Sequence, residues 1–144
     1  MDADHSHDPM YLPALLAAAE HADVVTGSRY INGGGTEGWE LWRRMLSIGG
    51  NWYCRIITGM PINDATAGFN LIRTELLRHV PLQKLDSSGY AFQMELKHLL
   101  WKHGARCVEV PIIFRQRRGG ESKLSGHIIR EGITAPWKLL LKRY

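Results

Sequence analysis

Short β-branched segments that alternate with helical segments are the feature that most constrains how these 144 residues can fold. The strand candidates are residues 23–28, 67–73 and 106–114. The helix candidates are residues 10–22, 39–58, 74–80, 90–103 and 126–143, with a kink expected at Pro136. The predicted loops are residues 30–38, 84–89 and 115–125. This alternation predicts a layered α/β domain, but about three strands make a small sheet for five helices.

Composition excludes several classes of protein. Apolar residues make up 44% and charged residues 22% of the chain, which are globular values and argue against a disordered or coiled-coil protein. The apolar runs fall short of the ~18 residues that span a bilayer. The acidic opening residues do not have the pattern of a secretory leader. Two cysteines do not predict a disulfide framework, so we expect a cytoplasmic protein.

Positive charge is concentrated near the C-terminus. Residues 115–144 hold eight Lys and Arg against two acidic residues, whereas the whole chain carries a net charge of +4. Such a segment could contact phosphates, anionic lipid or nucleic acid, although charge alone favours a solvated basic tail. The absence of interleaved aromatic residues and of known DNA- or RNA-binding signatures argues against nucleic acid.

Asp2 and Asp4 form a D-x-D pattern at the start of the chain. Two carboxylates at this spacing can share one Mg²⁺ or Mn²⁺, which commonly bridges diphosphate oxygens. Taken alone, the pattern is more often part of a solvated tail. The nearby His5 and His7 are likewise expected in a flexible chain end.

The predicted helix over residues 39–58 has a polar line at the spacing i, i+4, i+8, formed by Arg43, Ser47 and Asn51. An arginine one turn from a serine hydroxyl is a reasonable phosphate clamp. The alternative is an ordinary amphipathic helix whose polar face is wet. The opposite face carries Trp42, Met45, Leu46, Trp52, Tyr53, Ile56 and Ile57.

The predicted loop after the third strand candidate is a second anion-binding candidate. It contains a glycine pair, a serine, and the basic residues Arg115, Arg117, Arg118 and Lys123. Guanidinium groups on a flexible loop suit phosphate oxygens. From these residues alone, a nucleic-acid contact fits equally well.

Six segments taken in order resemble the polyprenol (dolichol) monophosphate mannose synthases, which are family 2 glycosyltransferases with the GT-A fold. The segments read MDADHSH, DVVTGSRY, GGGTEGWELWRRMLSIGGNWYCR, INDATAGFNLIR, SSGYAFQMEL and EVPIIFRQRRGGESKLSG. The resemblance covers about residues 1–135. It implies a partial GT-A (Rossmann-like) α/β fold, with a small mixed sheet covered by helices. Residues 1–144 would then be a single domain, the acceptor-side half of a GT-A glycosyltransferase domain.

The resemblance also implies a reaction and its partners. Mannose would move from GDP-mannose to a polyprenyl (dolichyl) monophosphate, with inversion, in a peripheral protein at the cytoplasmic membrane face that does not bind nucleic acid. Relatives begin with a further nucleotide-binding portion, so we expect this chain on its own to be inactive and to self-associate. There are two alternatives. One is a related enzyme with another donor such as UDP-glucose, and the other is a non-catalytic basic module that binds a membrane surface or nucleic acid.

Residue roles follow from the same resemblance. Asp2 and Asp4 would hold Mg²⁺ or Mn²⁺ against the GDP diphosphate, although Ser6 stands where relatives often carry a glutamine ligand. The acceptor phosphate would be bound by Arg29, Arg43 and Ser47. Arg117 and Lys123 would close over donor and acceptor phosphates, with Arg118 an alternative to Arg117. The catalytic candidates are Asp64, near the sugar, and Arg117.

One departure from the wider superfamily is chemically informative. Many family 2 transferases place Glu-Asp where Phe92 and Gln93 stand here, and that aspartate deprotonates an acceptor hydroxyl. A phosphate monoester has a second pKa of about 6, so at neutral pH it is already a nucleophile. A phosphate acceptor therefore needs no general base.

Overall fold

The computed structural model describes residues 6–87, 89–115 and 126–142. The helices are α1 (Leu12–Ala19), α2 (Leu41–Thr58), α3 (Thr74–His79), α4 (Gly89–Lys102) and α5 (Gly126–Leu141). The strands are β1 (Val24–Ser28), β2 (Gly35–Glu37), β3 (Asn70–Ile72), β4 (Cys107–Pro111) and β5 (Ile113–Arg115). Short 3₁₀ turns cover Pro9–Tyr11 and Leu82–Lys84.

The central sheet is small and mixed, with strand order β3-β1-β4. β1 runs antiparallel to β3, with Val24 opposite Ile72, and parallel to β4, with Val25 opposite Val108. All five residues of β1 are buried, as a central strand covered on both faces requires. A separate parallel pair joins β2 to β5.

Helices cover both faces of the central sheet. Successive residues of a strand point to opposite faces, and Val25 packs with Leu15 of α1 while Val24 packs with Leu99 of α4. A third core cluster joins α2, α4 and α5 and includes Cys54, Met94, Leu139. The predicted α/β fold with a small mixed sheet covered by helices is therefore confirmed.

Most predicted elements are present, but three predictions need correction. The predicted loop 30–38 contains β2, which exists because it pairs with the distant β5, a contact that no local pattern reveals. The predicted strand 106–114 is two strands, because Ile112 is buried and its N–H donates to the carbonyl of Ser28. The predicted strand 67–73 is ordered as a strand only over Asn70–Ile72. The described residues therefore contain five strands rather than about three.

The first predicted helix is also shorter than expected. Residues 10–22 were expected to be one helix, whereas α1 covers Leu12–Ala19. Asp8 caps the 3₁₀ turn before it, accepting a hydrogen bond from the Met10 N–H at 3.0 Å. Pro9 suits the first position of such a turn because it has no N–H to leave unsatisfied. The helices predicted over 74–80, 90–103 and 126–143 are confirmed, and Pro136 lies inside α5.

Candidate functional site

A buried ion pair lies at the end of β1, where Arg29 leaves the strand and meets Asp64. The Arg29 Nε and Nη2 atoms donate to the two Asp64 carboxylate oxygens at 2.7 and 2.6 Å, and the Arg29 backbone N–H donates at 2.9 Å. Thr66 Oγ1 accepts a further hydrogen bond from Nη2 at 2.8 Å. Asp64 is 0% exposed and Arg29 is 8% exposed. This bidentate geometry fixes both side chains.

Electrostatics keep this pair charged. Burial alone would lower the pKa of Arg29, but the hydrogen bonds and negative charge of Asp64 raise it above its ordinary value. Burial alone would likewise raise the pKa of Asp64, but hydrogen bonds from Arg29 and its positive charge hold that pKa below 3.8. Asp64 is therefore an ionised, fully engaged carboxylate at neutral pH and a poor proton acceptor.

Aromatic rings surround the Arg29 guanidinium. Its central carbon lies 5.0 Å from the Tyr30 ring, 5.5 Å from the Trp39 ring and 5.6 Å from the Phe114 ring. The Arg43 guanidinium lies 4.2 Å from the Trp39 ring. Trp39 therefore contacts two cations, an arrangement that cation–π attraction stabilises. Within the described part of the chain, the Nη1 atom of Arg29 has no hydrogen-bond partner and Arg43 forms no ion pair.

Ser47 is tied to the same cluster through Tyr30. The Tyr30 hydroxyl donates to Ser47 Oγ at 2.6 Å, and burial raises the pKa of Tyr30, which keeps this proton in place. One turn further along α2, Asn51 accepts from the Thr66 N–H at 3.3 Å and donates to the Ser47 carbonyl at 2.9 Å. The structure thus brings together Arg29, Arg43 and Ser47, which the sequence analysis grouped, and adds Asp64, which it had placed separately near the sugar.

Helix α2 turns its polar line inward and its apolar face outward. Asn51 is 2% exposed, whereas Trp52, the next residue, is 66% exposed. The polar line is therefore only partly solvated, because Asn51 is buried whereas Arg43 and Ser47 are half-buried. The exposed large apolar residues of α2 are Leu41, Trp42, Met45, Leu46, Ile48, Trp52 and Ile56.

Helix α5 extends this exposed apolar surface. It contributes exposed Ile133, Trp137, Leu140 and Leu141. The two helices are joined by Tyr53, whose hydroxyl donates to the Ile133 carbonyl at 3.2 Å and accepts from Trp137 Nε1 at 2.6 Å. We call this surface the α2/α5 apolar face. Large exposed apolar side chains gathered on two adjacent helices are typical of an interaction site.

The segment that begins at Ser6 packs against the end of β5. The Arg115 N–H donates to the Ser6 carbonyl at 3.1 Å, and the Arg115 side chain pairs with Asp8 at 3.2 Å and with Glu37 at 3.3 Å. His7 is buried between the rings of Phe69 and Phe114, with centroids 5.1 and 5.2 Å away. The expectation that His7 lies in a flexible chain end is therefore wrong.

The predicted metal ligands Asp2 and Asp4, together with His5, lie outside the described residues, as do Arg117, Arg118 and Lys123. In the ranges 6–87, 89–115 and 126–142, no group of three or more His, Cys, Asp or Glu side chains could hold a metal ion. Paired carboxylates are the donor set that Mg²⁺ and Mn²⁺ prefer. The D-x-D pattern therefore remains the metal-site candidate by its chemistry.

Sequence reasoning missed the residues that connect the site. Tyr30 and Trp39 flank a glycine-rich segment, and the local pattern predicts only a loop residue and a helix start for them. Aromatic side chains next to arginines in the sequence are the feature that could have indicated their role. Lys97 and Glu109 form hydrogen bonds with the backbone of Asp64. No local sequence pattern indicates this role, because the bonded residues are far apart in the sequence.

Among the described helices, none is long and apolar enough to cross a bilayer.

Comparisons with known proteins agree with this geometry. The profile of the family described as Glycosyl transferase family 2 matches residues 1–80. An undecaprenyl-phosphate mannosyltransferase from Micrococcus luteus is 42% identical over 151 residues, covering 99% of this chain and 62% of the relative. A polyprenol monophosphomannose synthase from Mycolicibacterium smegmatis is 45% identical over 140 residues, covering 95% of this chain and 53% of the relative. The chain therefore spans between half and two thirds of the length of these relatives.

Proposed function

This chain belongs to glycosyl transferase family 2, and we propose that it forms the acceptor side of an inverting enzyme that moves mannose from GDP-mannose to a polyprenyl monophosphate. The observation that carries the proposal is the architecture of α2, which borders the cationic cluster of Arg29 and Arg43 on one side and forms part of the α2/α5 apolar face on the other. A lipid monophosphate has a matching structure, since its phosphate is anionic and its hydrocarbon chain is apolar. The names of both relatives, which specify a polyprenyl phosphate and mannose, support the same substrates.

The acceptor phosphate would be bound by Arg43 and Ser47, with Arg29 behind them. Arg43 has no carboxylate partner among the described residues, so its charge is available to a dianion. Ser47 receives the Tyr30 hydrogen bond at its oxygen and keeps its own hydroxyl proton to donate. Arg29 would add its Nη1 edge while Asp64 holds the rest of the guanidinium in place.

The α2/α5 apolar face would contact the prenyl chain and the membrane surface. Exposed tryptophans at Trp42, Trp52 and Trp137 suit the interface between water and hydrocarbon. Exposed basic residues on the same two helices would meet anionic head groups; these are Arg44, Arg55, Arg130 and Lys138. The protein would thus be peripheral, at the cytoplasmic face of the membrane.

The donor side would be built from the two segments that lead away from the Ser6–Arg115 contact. In the sequence, Asp4 is two residues from Ser6 and Arg117 is two residues from Arg115. We propose that Asp2 and Asp4 hold Mg²⁺ or Mn²⁺ against the GDP diphosphate, and that Arg117 and Lys123 bind its phosphates and that of the acceptor. The metal would stabilise the departing diphosphate.

The reaction would be a direct displacement. An acceptor phosphate oxygen attacks the anomeric carbon, the bond from that carbon to GDP breaks, and the configuration inverts. No proton has to be removed, because the phosphate is already ionised at neutral pH. This fits the state of Asp64, whose carboxylate is occupied by Arg29. Asp64 would therefore act by holding Arg29. The inactivity and self-association expected of the chain on its own remain predictions.

Farnesyl phosphate binding tests the acceptor site in the protein at its full natural length. We expect farnesyl phosphate to bind and farnesol to bind much more weakly, because the phosphate supplies the charged contacts. Arg43→Ala should weaken farnesyl phosphate binding roughly tenfold or more, the loss of a charged hydrogen bond worth about 1.5–3 kcal/mol. Arg78→Ala, an exposed arginine on α3, is the control. Equal binding of farnesol, or an unchanged affinity of Arg43→Ala, would reject this assignment.

A further inference from the structure

We propose that Lys97 is a positioning residue for the acceptor site: from inside the core it fixes the segment that carries Asp64, and Asp64 in turn fixes Arg29. The inference rests on the proposed function, since it assigns Lys97 an effect on acceptor-phosphate binding. Lys97 lies on α4 and touches none of Arg29, Arg43 and Ser47 by a hydrogen bond. An effect carried by hydrogen bonds would therefore pass through the segment 64–67, whose Asp64 and Thr66 contact Arg29.

Lys97 is 0% exposed, and its ammonium group donates all of its hydrogen bonds to the backbone of the segment 64–67. Its Nζ atom donates to the carbonyls of Asp64 at 3.1 Å, Ala65 at 3.1 Å and Ala67 at 2.7 Å. An ammonium group has three donors, and three carbonyls receive them. A fully buried lysine is rare and costly in the absence of such partners. The hydrogen bonds that Lys97 donates are therefore its structural contribution, in addition to the volume that its side chain fills.

Glu109 holds the same segment from its opposite side. Its carboxylate accepts hydrogen bonds from the Asn63 N–H at 2.9 Å, the Asn63 side-chain amide at 2.7 Å and the Asp64 N–H at 2.9 Å. The backbone of Asp64 is thus bound at its N–H by an anion on β4 and at its carbonyl by a cation on α4. These two contacts determine the direction in which the Asp64 side chain leaves the backbone.

Arg29 depends on that direction. Its contacts with Asp64 are 2.6–2.9 Å long, and charged hydrogen bonds of this kind weaken steeply when the geometry is lost. The guanidinium also packs over the Trp39 ring that Arg43 shares. A small shift of the Asp64 segment would therefore move the cations that face the acceptor phosphate, and misplacement by about 1 Å is enough to lower activity many-fold.

A merely structural role for Lys97 predicts something different. Loss of core stability alone would reduce the amount of folded enzyme and therefore the maximal rate, while the Michaelis constants of the folded fraction would not change. A positioning role changes the Michaelis constant for the acceptor and the affinity for farnesyl phosphate. Burial lowers the pKa of Lys97 to about 7, against the opposing charge of Asp64. Measurements at pH 6.5, below that pKa, therefore favour the protonated ammonium group with its three donors.

The principal experiment compares Lys97→Met with Lys102→Met in the protein at full natural length. Methionine fills similar space without donors, and Lys102 is an exposed lysine on the same helix. At pH 6.5, we expect Lys97→Met to weaken farnesyl phosphate binding and raise the acceptor Michaelis constant about fivefold or more, with the donor Michaelis constant unchanged. Lys102→Met should match the wild type. A folded Lys97→Met protein with wild-type acceptor affinity would overturn the inference.

Glu109→Gln is the second variant, to be measured if Lys97→Met does not fold. Glu109 is half-buried. Glutamine keeps one acceptor oxygen, but its amide group places N–H donors where the second carboxylate oxygen accepted a hydrogen bond from a backbone N–H. We expect a weaker effect of the same kind, about threefold in acceptor affinity. A folded Glu109→Gln protein with unchanged affinity would then overturn the inference. If the wild type itself fails to bind farnesyl phosphate, the proposed function is wrong, and this role falls with it.

Discussion

Helices α2 and α4 pack on the same core cluster, but they differ in which side chains they bury. α4 buries Leu99 and Leu100 against the sheet. α2 buries Asn51 and Thr58 and leaves Trp52 exposed to solvent. Burial of an apolar side chain stabilises a fold by about 1.5–3 kcal/mol. α4 therefore contributes to folding stability, whereas the apolar face of α2 contributes little to it.

This difference assigns the two helices different tasks. A helix with a polar side turned inward is stable only when that side finds hydrogen-bond partners, and α2 finds them in Tyr30 and Thr66. Its outward apolar side then remains available to a lipid. α4 supports the site from within the core, through the three hydrogen bonds that Lys97 donates. Under the proposed function, α2 would contact the substrate and α4 would hold the contacting side chains in position.

The largest expected effect is on the free energy of unfolding, and it compares a buried leucine of α4 with an exposed isoleucine of α2. Leu99→Ala removes a fully buried side chain from α4 and should lower the free energy of unfolding by about 3–4 kcal/mol. Ile56→Ala removes a similar side chain from α2, where it is 57% exposed, and should change that free energy by less than about 1 kcal/mol. Urea unfolding of both variants measures the difference. Equal losses would show that the α2 face is covered in the folded protein.

The next effect concerns the ion pair that anchors the site. Asp64→Asn leaves the buried Arg29 charge without its partner and should cost about 3 kcal/mol at pH 7. The folded-state pKa of Asp64 is lowered, so the stability from its ionised form is present above the unfolded value of 3.8 and is lost as pH falls through the folded value. The difference in the free energy of unfolding between wild type and Asp64→Asn should therefore decrease below about pH 3.8. A gap that stays constant in acid-unfolding titrations would show that Asp64 is not ionised in the fold.

A smaller effect separates membrane binding from folding. Trp52→Gln on α2 should weaken binding to phosphatidylglycerol-containing vesicles roughly tenfold, because an exposed tryptophan would insert at the interface. Tyr90→Gln on α4, also an exposed aromatic residue, is the control and should have little effect. Vesicle co-sedimentation reports both. If the two variants lose binding equally, the α2/α5 apolar face has no special part in membrane contact.

The smallest effect tests the link between β1 and α2. Tyr30→Phe removes the hydrogen bond to Ser47 and should lower the free energy of unfolding by about 1 kcal/mol. It should also weaken farnesyl phosphate binding about twofold to threefold, because the Ser47 hydroxyl loses its fixed orientation. Calorimetric titration together with thermal unfolding measures both quantities. A stability loss without any change in affinity would place Ser47 outside the acceptor site.

Local patterns predicted the buried strand β1 and the helices α3 and α4 well, because periodicity and end signals such as Gly104 act within a few residues. They missed β2, which exists only through its pairing with the distant β5. In the site, Arg43 and Ser47 were predictable from their helical spacing. The inward orientation of that line was not, because it depends on Asn51 meeting Thr66 across the fold. The roles of Lys97 and Glu109 were hidden for the same reason.

The central claim is that α2 binds a lipid phosphate with its inner side and the prenyl chain with its outer side. Calorimetric titration of geranyl and farnesyl phosphate into wild type, Arg43→Ala and Trp52→Gln tests both sides at once. We predict that farnesyl phosphate binds the wild type roughly tenfold more tightly, since its extra isoprene unit buries apolar surface. Arg43→Ala should weaken both ligands by the same factor, whereas Trp52→Gln should reduce only the advantage of the longer chain. Affinities that do not depend on chain length, or that Arg43→Ala leaves unchanged, would contradict the claim.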